Sequence, residues 1–453
     1  MSEDTEQLLS DIASKLGNMR WFREKVKGAG KVELFDMGRV EFNGMSFLML
    51  LIRTGDGSIY FIPLRKCDGC PLFHFSTPEG MYHDALNEPS FVSGMLQLIL
   101  NNGKIDTDRG SFQGEIEHSF TPDISEMRLI QSEQSNTSVV VNGRLIYKHY
   151  RKLEAGENPD YEVPLALHRA GYKHTPMPYG RIEYVSGNRH LCTSLFHFIQ
   201  ESEDCWSLFT RELHSYLSGR SDNDLIETVR GIGRITAEMH NALSSCSAPG
   251  FAVKLITRED VARWIGDVEE LRSELKNSID RSSDMESLVR LVDSTRALDH
   301  SLDVLLGGVN RIRIHGDYHL GQILHSRGEL FVIDFEGEPM RPLHYRREVH
   351  CALRDLAGLI RSLDYASSVA GRQTGRVEVA DAWMQRAEDA FLESYISNVK
   401  STVPFIPSGP GMREALNFFV MEKAMYELNY ELNNRPSWSW IPAAAITKLA
   451  MKI

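Results

Sequence analysis

The chain has 453 residues with a formal net charge of −12, and 42% of its residues are hydrophobic. Its length predicts more than one structural unit, and its acidic balance argues against a nucleic-acid-binding surface, which needs a basic stripe. No apolar run approaches the roughly eighteen residues that a membrane-spanning helix needs, the acidic amino terminus lacks the regions of a signal peptide, and six scattered cysteines form no disulfide framework. We therefore expect a cytoplasmic protein without membrane or nucleic-acid partners.

The first elements in chain order predict a small α+β cap. Residues 1–20 place leucine and isoleucine side chains at helical spacing, which predicts an amphipathic helix. Four apolar segments then predict the strands of a meander sheet: 32–35, 39–42, 47–53 and 58–64. The Gly55-Asp56-Gly57 tip favours a hairpin between the last two of them. We predict an N-terminal cap subdomain over residues 1–87.

Residues 88–128 predict an intermediate subdomain. Within it, residues 91–101 are apolar and predict a helix, whereas residues 111–120 are polar and predict irregular structure. Cys67 and Cys70, just before this region, have the spacing of a metal or redox pair, but a zinc site normally has a second such pair. Whether these two cysteines bind a metal stays open, and we predict a turn there.

A second β-rich part is predicted over residues 129–201. Residues 139–141 and 144–149 bracket Asn142-Gly143, the strongest short hairpin signal. A helix and two further strands follow, at 161–170, 182–185 and 191–199. These segments together predict a small sheet with one helix beside it.

Helical patterns dominate beyond residue 201, and we predict a helical domain over residues 202–453. Four segments carry the helical period: 225–243, 352–366, 380–399 and 413–434. One strand-loop-strand segment at 312–335 interrupts them. A β-rich part followed by a helical part with one embedded β segment predicts an α+β fold.

The embedded β segment carries the residues that point to chemistry. Two apolar stretches, each predicted as a strand and each ending in an acid, place Asp317 and Asp334 at the mouth of one cleft. Phosphoryl transfer needs a carboxylate that orients the attacking hydroxyl and accepts its proton. We predict that Asp317 is this catalytic base.

Three residues in the same segment predict a magnesium site. Magnesium prefers oxygen ligands, and it neutralises the charge that develops on phosphate oxygens. Gln322 offers an amide oxygen, Asp334 a carboxylate, and Glu336 a second carboxylate. The step from Asp317 to Gln322 also equals the spacing between acid and amide in the protein-kinase catalytic loop.

A kinase also needs groups that hold ATP. Lys148 ends a predicted strand and is our candidate for the phosphate contact, with Glu162 on the next helix as the acid that holds it. Ahead of the strand, the serine-rich turn with Ser135, Asn136 and Thr137 occupies the position of a phosphate loop without glycine. Its hydroxyl and backbone N–H groups would have to contact the phosphates.

These residues resemble those of the maltokinases, which are relatives of the aminoglycoside phosphotransferases within the kinase-like fold. The resemblance is carried by His315-Gly-Asp-Tyr-His-Leu-Gly-Gln322 and Val332-Ile-Asp-Phe-Glu-Gly-Glu-Pro339. It continues along the chain in order, from Arg20-Trp-Phe22 through Asn158-Pro-Asp160 to Asn434-Arg-Pro436.

The resemblance implies a bilobal protein-kinase-like fold: the cap, the intermediate subdomain, a β-rich N-lobe and a helical C-lobe. It also implies that ATP phosphorylates the anomeric hydroxyl of maltose to give maltose 1-phosphate, in trehalose and α-glucan metabolism. Association with a trehalose-processing enzyme is a further expectation from this resemblance.

A sugar site is expected on the last long helix. On the last long helix, polar and aromatic groups repeat at steps of three and four residues and can stack on sugar rings or bond their hydroxyls: Lys423, Tyr426, Tyr430 and Glu431. We assign His315 and His319, which flank Asp317, to the same substrate site.

One stretch departs from the maltokinase pattern. After Arg341-Pro-Leu343 the family usually has Glu-Arg-Arg, a lysine and Ser-Pro, where this chain has Tyr345-Arg-Arg347, Val349 and Cys351-Ala352. The departure leaves Asp317, Gln322 and Asp334 unchanged, so it concerns which acceptor is phosphorylated. A related branch phosphorylates amino sugars such as glucosamine, which gives the alternative reading. A nucleotide-binding pseudokinase scaffold is a third hypothesis, which the presence of these catalytic residues disfavours.

Overall fold

A computed structural model gives the structure of the protein and describes residues 3–22, 30–67, 69, 74–78, 80–130, 136–278, 283–338, 341–409 and 411–451. The chain forms two compact units. The first unit is Met1–Leu165 with Pro176–Gln200, and the second is Ala166–Thr175 with Glu201–Ile453. Within the described ranges, no helix is both long enough and apolar enough to cross a bilayer.

The first unit contains two antiparallel sheets. Its elements in chain order are α1 Glu3–Lys15, β1 Glu33–Phe42, β2 Met45–Arg53, β3 Ile59–Cys67, β4 His74–Thr77, β5 Gly80–Asp84, α2 Pro89–Leu100, β6 Lys104–Asp106, β7 Ser111–Ile116, β8 Met127–Ile130, β9 Asn136–Val141, β10 Leu145–Tyr150, β11 Lys152–Leu153, α3 Pro159–Arg169, β12 Pro178–Ser186 and β13 Asn188–His197. The cap sheet has the order β1-β2-β3-β5-β4, and β11 also pairs with β3. The second sheet has the order β6-β7-β12-β13-β10-β9-β8.

Strand β2 explains why the two sheets form one unit. Met49 and Leu51 face a core that α2 shares through Met95, together with side chains of the second sheet. Leu50, on the opposite face, packs with Ile12 of α1. Because successive side chains of a strand point to opposite faces, a strand covered on both sides is apolar throughout.

The second sheet corrects two predictions. Residues 111–120, predicted as irregular, contain β7, which pairs with β12 over six residue pairs from Gly180–Ile116 to Val185–Ser111. Residues 88–128 are therefore no separate subdomain, since β6, β7 and β8 belong to the same sheet as the predicted N-lobe strands. The Asn142-Gly143 hairpin is confirmed: both residues have positive φ, 52° and 60°, as a two-residue hairpin turn requires.

The second unit is mainly helical. Its helices are α4 Cys205–Leu217, α5 Ile226–Ser245, α6 Arg258–Ser278, α7 Ser283–Ser294, α8 Leu343–Arg346, α9 Leu353–Thr374, α10 Val377–Asn398, α11 Gly411–Asn434 and α12 Trp440–Ala450. Short 3-10 segments lie at Thr295–Leu306, Leu320–Gln322 and Pro436–Trp438, and in the first unit at Leu16–Asn18 and Ala85–Asn87. The predicted helices at 225–243, 352–366, 380–399 and 413–434 are thus confirmed.

Short strands lie between these helices: β14 Glu203–Asp204, β15 Lys254–Leu255, β16 Asn310–Arg311, β17 Ile323–Ser326 and β18 Glu329–Val332. They form a three-stranded sheet, β14-β17-β18, and a separate pair, β15-β16. The stretch before Asp317, predicted as a strand, is only β16 and a single bridge from Ile312 to His350. The loop that carries Asp317 must therefore be held by other contacts.

The free cysteines of the described residues are buried or half-buried. Cys192, Cys205 and Cys351 are buried free thiols, and Cys246 is a half-buried one. Cys67, at the end of β3, is disulfide-bonded. Cys70 lies outside the described residues, so a metal at this pair stays untested.

Candidate active site

The loop that carries Asp317 is held by a buried carboxylate on α9. The oxygens of Asp355 accept hydrogen bonds from the backbone N–H groups of His315 and Gly316, at 2.7 and 2.9 Å. His240 Nε2 lies 3.1 Å from the same carboxylate. Burial alone would raise the pKa of Asp355, but the His240 hydrogen bond and the loop amide lower it below its usual value. Asp355 is therefore a charged carboxylate that holds the loop carrying Asp317.

Close packing holds the same loop against α9. A Cβ atom at Gly358 would lie only 2.6 Å from the carbonyl oxygen of Tyr318, so this position needs glycine. The Tyr318 hydroxyl is 2.8 Å from Thr236 Oγ1 on α5. The residue after Asp317 is thus fixed at both its backbone and its side chain.

Asp317 itself lies beside a cation. Lys423 Nζ on α11 is 3.7 Å from Asp317 Oδ1, and His319 Nε2 is 4.0 Å from Oδ2. Burial lowers the pKa of Lys423, but Asp317, Glu427 and neighbouring acids outweigh it and raise the pKa, so the lysine stays charged. The ammonium also lies 5.1 Å from the Tyr426 ring centre. The structure thus places Lys423 and Tyr426, two of the predicted substrate residues, near Asp317.

The three predicted metal ligands lie near one another. Gln322 Nε2 donates to Asp334 Oδ2 at 3.1 Å. Carboxylate oxygens of Asp334 and Glu336 lie within 4.8 Å of each other. Asp334 adopts a left-handed backbone with φ of 63°, which is uncommon for a residue other than glycine and is often found at functional sites.

Burial and acids act in opposite directions on the charge of His319. Burial lowers the pKa of this histidine, while Asp317 and, to a smaller extent, Asp334 act to raise it. The histidine side chain remains 40% exposed and so can reach a ligand.

A cavity of about 770 Å³ opens beside Asp317 within the second unit. Of the residues predicted to bind substrate, Lys423, Tyr426 and Tyr430 line it. Its other lining residues come from α6, from the chain between the catalytic loop and α9, and from α11: Asp267, Glu270, Leu271, Glu274, Ile314, Gly316, Tyr318, Gly337, Glu338, Arg341, Tyr345, Arg346, His350, Arg354, Gly358, Phe419, Glu422, Asn429, Asn433 and Asn434. Sequence periodicity could not show that these separate segments meet.

Two predicted substrate residues are buried, each only 1% exposed. His315 places Nε2 at 2.9 Å from the Ile333 carbonyl oxygen and Nδ1 at 3.3 Å from the Asp317 N–H, so its ring positions the loop. Glu431 accepts hydrogen bonds from Arg435 at 2.7 Å and from the Tyr365 hydroxyl at 3.3 Å. Neither residue is among those that line the cavity, and a contact of either with substrate stays a prediction.

The first unit holds the predicted nucleotide residues. Lys148 on β10 is buried, with Nζ 2.8 Å from Asp160 Oδ2 at the start of α3. Tyr150 donates to the same carboxylate. The sequence predicts Glu162 for this contact, whereas the structure places Asp160 there; an acid in the first turn of the helix is the signal that points to Asp160. The contact to Glu162, which is half-buried on α3, stays a prediction.

The predicted phosphate loop lies at the start of β9. Asn136 is buried, and Thr137 Oγ1 accepts a hydrogen bond from Arg151 Nε at 3.0 Å. Ser135 lies outside the described residues. The role of all three in holding phosphate stays a prediction.

The middle of the chain is similar to a known protein family. Residues 126–345 match the model of the phosphotransferase enzyme family, and this range runs from β8 to β18 and contains every predicted catalytic, nucleotide and metal residue. The wider resemblance predicted from the sequence, to maltokinases in particular, is confirmed at the level of this phosphotransferase family only.

Two curated relatives bear the name glucosamine kinase. The relative from Mycolicibacterium smegmatis is 25% identical over 329 residues, which are 71% of this chain and 79% of the relative. The relative from Streptacidiphilus jiangxiensis is 27% identical over 332 residues, or 70% of this chain and 72% of the relative.

Solved structures show the same fold over almost the whole chain. A glucosamine kinase (crystal form A) aligns with a TM-score of 0.73 at 21% identity, covering 99% of this chain and 98% of that one. A glucosamine kinase in complex with glucosamine, ADP and inorganic phosphate aligns with a TM-score of 0.70 over 93% and 94%. The predicted kinase-like α+β fold is therefore confirmed.

Proposed function

We propose that this protein is an ATP-dependent kinase that phosphorylates a hydroxyl group of a small sugar, with an amino sugar such as glucosamine as the first candidate. The observation that carries this proposal is Asp317, which lines a cavity with Lys423 at 3.7 Å and the Tyr426 ring beside it. A carboxylate, a cation and an aromatic face at one end of a cavity fit a hydroxylated ring more closely than they fit an apolar ligand.

Asp317 is the proposed catalytic base. Its carboxylate orients the acceptor hydroxyl and takes its proton while the oxygen attacks the γ-phosphorus and the bond to the leaving ADP oxygen breaks. Lys423 lies close enough to limit the build-up of negative charge around the reacting groups. Asp355 keeps the loop in place through its contacts with His315 and Gly316.

The donor set of Gln322, Asp334 and Glu336 fits magnesium, because each offers the hard oxygen ligand that this ion prefers. Magnesium, when bound, neutralises charge on the phosphate oxygens. The Gln322 amide, which donates its N–H to Asp334, orients that carboxylate for the role. In the first unit, we propose that Lys148, held by Asp160, contacts the nucleotide phosphates.

Three acids favour an amino sugar. Asp267, Glu270 and Glu274 of α6 line the cavity, and they give this side a negative potential that attracts an ammonium group. The relatives named glucosamine kinase support the same choice. The amino sugar, which the sequence leaves as the alternative acceptor, therefore ranks ahead of maltose.

Maltose is the second candidate. The cavity volume of about 770 Å³ lies in the range that holds drug-sized ligands, and Tyr426 and Tyr430 offer two aromatic groups along α11. A second sugar ring has room in such a cavity. Association with a trehalose-processing enzyme depends on this candidate and stays a prediction.

An acceptor screen tests the proposal. The purified protein is incubated with ATP, magnesium and either glucosamine, glucose, maltose or no acceptor, and ADP release is measured. We expect glucosamine to exceed maltose by about tenfold or more in kcat/KM, since one paired ammonium contributes on the order of 1.4 kcal/mol. NMR of the product then identifies the phosphorylated hydroxyl. ADP release that no acceptor increases would contradict the kinase assignment.

A further inference from the structure

His350 occupies a fixed place in the wall of the cavity. It is 7% exposed and lines the cavity together with Arg341, Tyr345, Arg346 and Arg354, which we call the 341–354 wall. Its backbone exchanges two hydrogen bonds with Ile312, at 3.0 and 2.7 Å. The backbone of His350 is therefore bonded to the chain that leads into the loop carrying Asp317.

The hydrogen bonds of the ring define which nitrogen remains for a ligand. Nε2 lies 3.0 Å from the Tyr345 carbonyl oxygen, and because a carbonyl only accepts, Nε2 carries the proton. Burial and the nearby Arg354 lower the pKa of His350 to about 4, so the ring is neutral near pH 7. Nδ1 is then an unprotonated acceptor, and it has no partner among the described side chains and backbone groups. The Tyr345 ring packs against the His350 ring in a tilted arrangement, with ring centres 4.7 Å apart.

Charge decides what kind of donor this nitrogen can take. Three arginines line this wall, and two of them are paired with lining acids: Arg341 with Glu338 at 3.2 Å and Arg354 with Glu422 at 2.9 Å. The balance of charge stays positive, which favours a neutral hydroxyl over an ammonium there. The acids of α6 lie on another part of the cavity lining. The cavity thus offers an acidic side for an amino group and a hydrogen-bond acceptor for a hydroxyl.

We propose that His350 is a specificity-determining residue whose Nδ1 accepts a hydrogen bond from a hydroxyl of the acceptor sugar. This inference rests on the proposed sugar-kinase function and deepens it. Tyr345, which holds the His350 ring, lies in the stretch that departs from the maltokinase pattern. The changed stretch from Tyr345 to Ala352 therefore alters the wall that would contact the acceptor, and it leaves the phosphoryl-transfer groups unchanged.

Two matched variants separate substrate recognition from a structural role. His350→Gln can keep an N–H near the Nε2 position for the Tyr345 carbonyl but loses the acceptor at Nδ1. His350→Asn can offer an amide oxygen near Nδ1 but loses the bond to Tyr345. We expect His350→Gln to weaken glucosamine binding about tenfold and His350→Asn to weaken it less than about threefold, as measured by calorimetry without ATP. The KM for ATP is expected to stay unchanged in both.

The outcomes are distinguishable. If His350→Gln binds glucosamine like the wild type, or if both variants weaken binding equally, the ring serves structure alone and the inference is wrong. A wild-type protein that does not bind glucosamine also overturns it. If the wild type binds glucosamine, with the expected effects of both variants, but does not phosphorylate it, the proposed kinase function fails and the assignment of His350 stands.

Discussion

At the residue scale, the proposed proton transfer to Asp317 depends on the groups that lie beside its carboxylate. Its carboxylate has Lys423 on one side and His319 on the other, at 3.7 and 4.0 Å. Neither contact is a close hydrogen bond, so the carboxylate keeps the capacity to accept a proton from a substrate hydroxyl. Its side chain is 26% exposed, which leaves room for that hydroxyl.

The substitution Asp317→Asn tests this role. The amide keeps the shape of the carboxylate but cannot take the proton, so we expect kcat to fall by about 10²–10⁴-fold with little change in nucleotide affinity. Steady-state ADP release and nucleotide binding by calorimetry measure the two quantities. Asp303→Asn, at an exposed position away from the cavity, is the matched control and is expected to retain full activity. A kcat within about threefold of the wild type would rule out Asp317 as the base.

At the scale of elements, α9 organises the catalytic loop more than any strand does. Asp355 and Gly358 lie one turn apart on this helix, and both face the loop that contains His315, Asp317 and Tyr318. One supplies a charged acceptor for backbone N–H groups, and the other allows close approach of the backbone. The short strand β16 could not provide this support.

Gly358→Ala tests the packing of α9 against the loop. The new Cβ atom would lie 2.6 Å from the Tyr318 carbonyl oxygen, so the helix or the loop must move. We expect a loss of stability of about 1–3 kcal/mol in urea unfolding and a fall in kcat of about tenfold or more, because the adjacent base is displaced. Gly266→Ala in α6 is the control.

The control has a defined expectation of its own. A Cβ atom at Gly266 meets nothing within 4 Å, so alanine there should stabilise α6 by about 0.5–1 kcal/mol through its helix propensity, without changing kcat. If the two variants unfold and react alike, the proposed contact between α9 and the loop does not matter.

At the scale of the whole molecule, buried histidines couple stability to pH. Burial is the first cause that lowers the pKa of His149, His190 and His350, and for His350 the value is about 4. An unfolded chain exposes these rings, and their pKa then returns to the usual value near 6.5. Protons are therefore taken up on unfolding between about pH 6.5 and pH 4.

We expect stability to fall as pH decreases through this window. The unfolded state binds more protons than the folded state there, so the free energy of unfolding rises with pH by up to about 1.4 kcal/mol per pH unit for each such histidine. Scanning calorimetry from pH 7.5 down to about pH 5 measures the change in Tm. His350→Gln lacks one titrating ring and should show a shallower slope. A Tm that is constant or rises toward pH 5 would contradict this account.

Much of the fold follows from local patterns that the sequence displays. The helical period predicts α5, α9, α10 and α11, and Asn142-Gly143 predicts its hairpin, because these features depend on neighbouring residues. Strand β7 escaped prediction because its glycine and polar residues oppose strand formation locally. Gly114 is needed there for close approach to the Leu98 backbone of α2, a contact that only the packed sheet reveals.

The sequence by itself determined the order and type of the candidate groups: Asp317, Gln322 and Asp334 at motif spacing, and Lys148 in a strand. Only the tertiary structure decided that Lys423 lies beside Asp317, that Asp160 contacts Lys148, and that His315 and Glu431 are buried. Spacing along the chain fixes which neighbours share a loop or a helix face. Contacts between distant segments depend on how elements pack, and packing is set by side chains throughout the core.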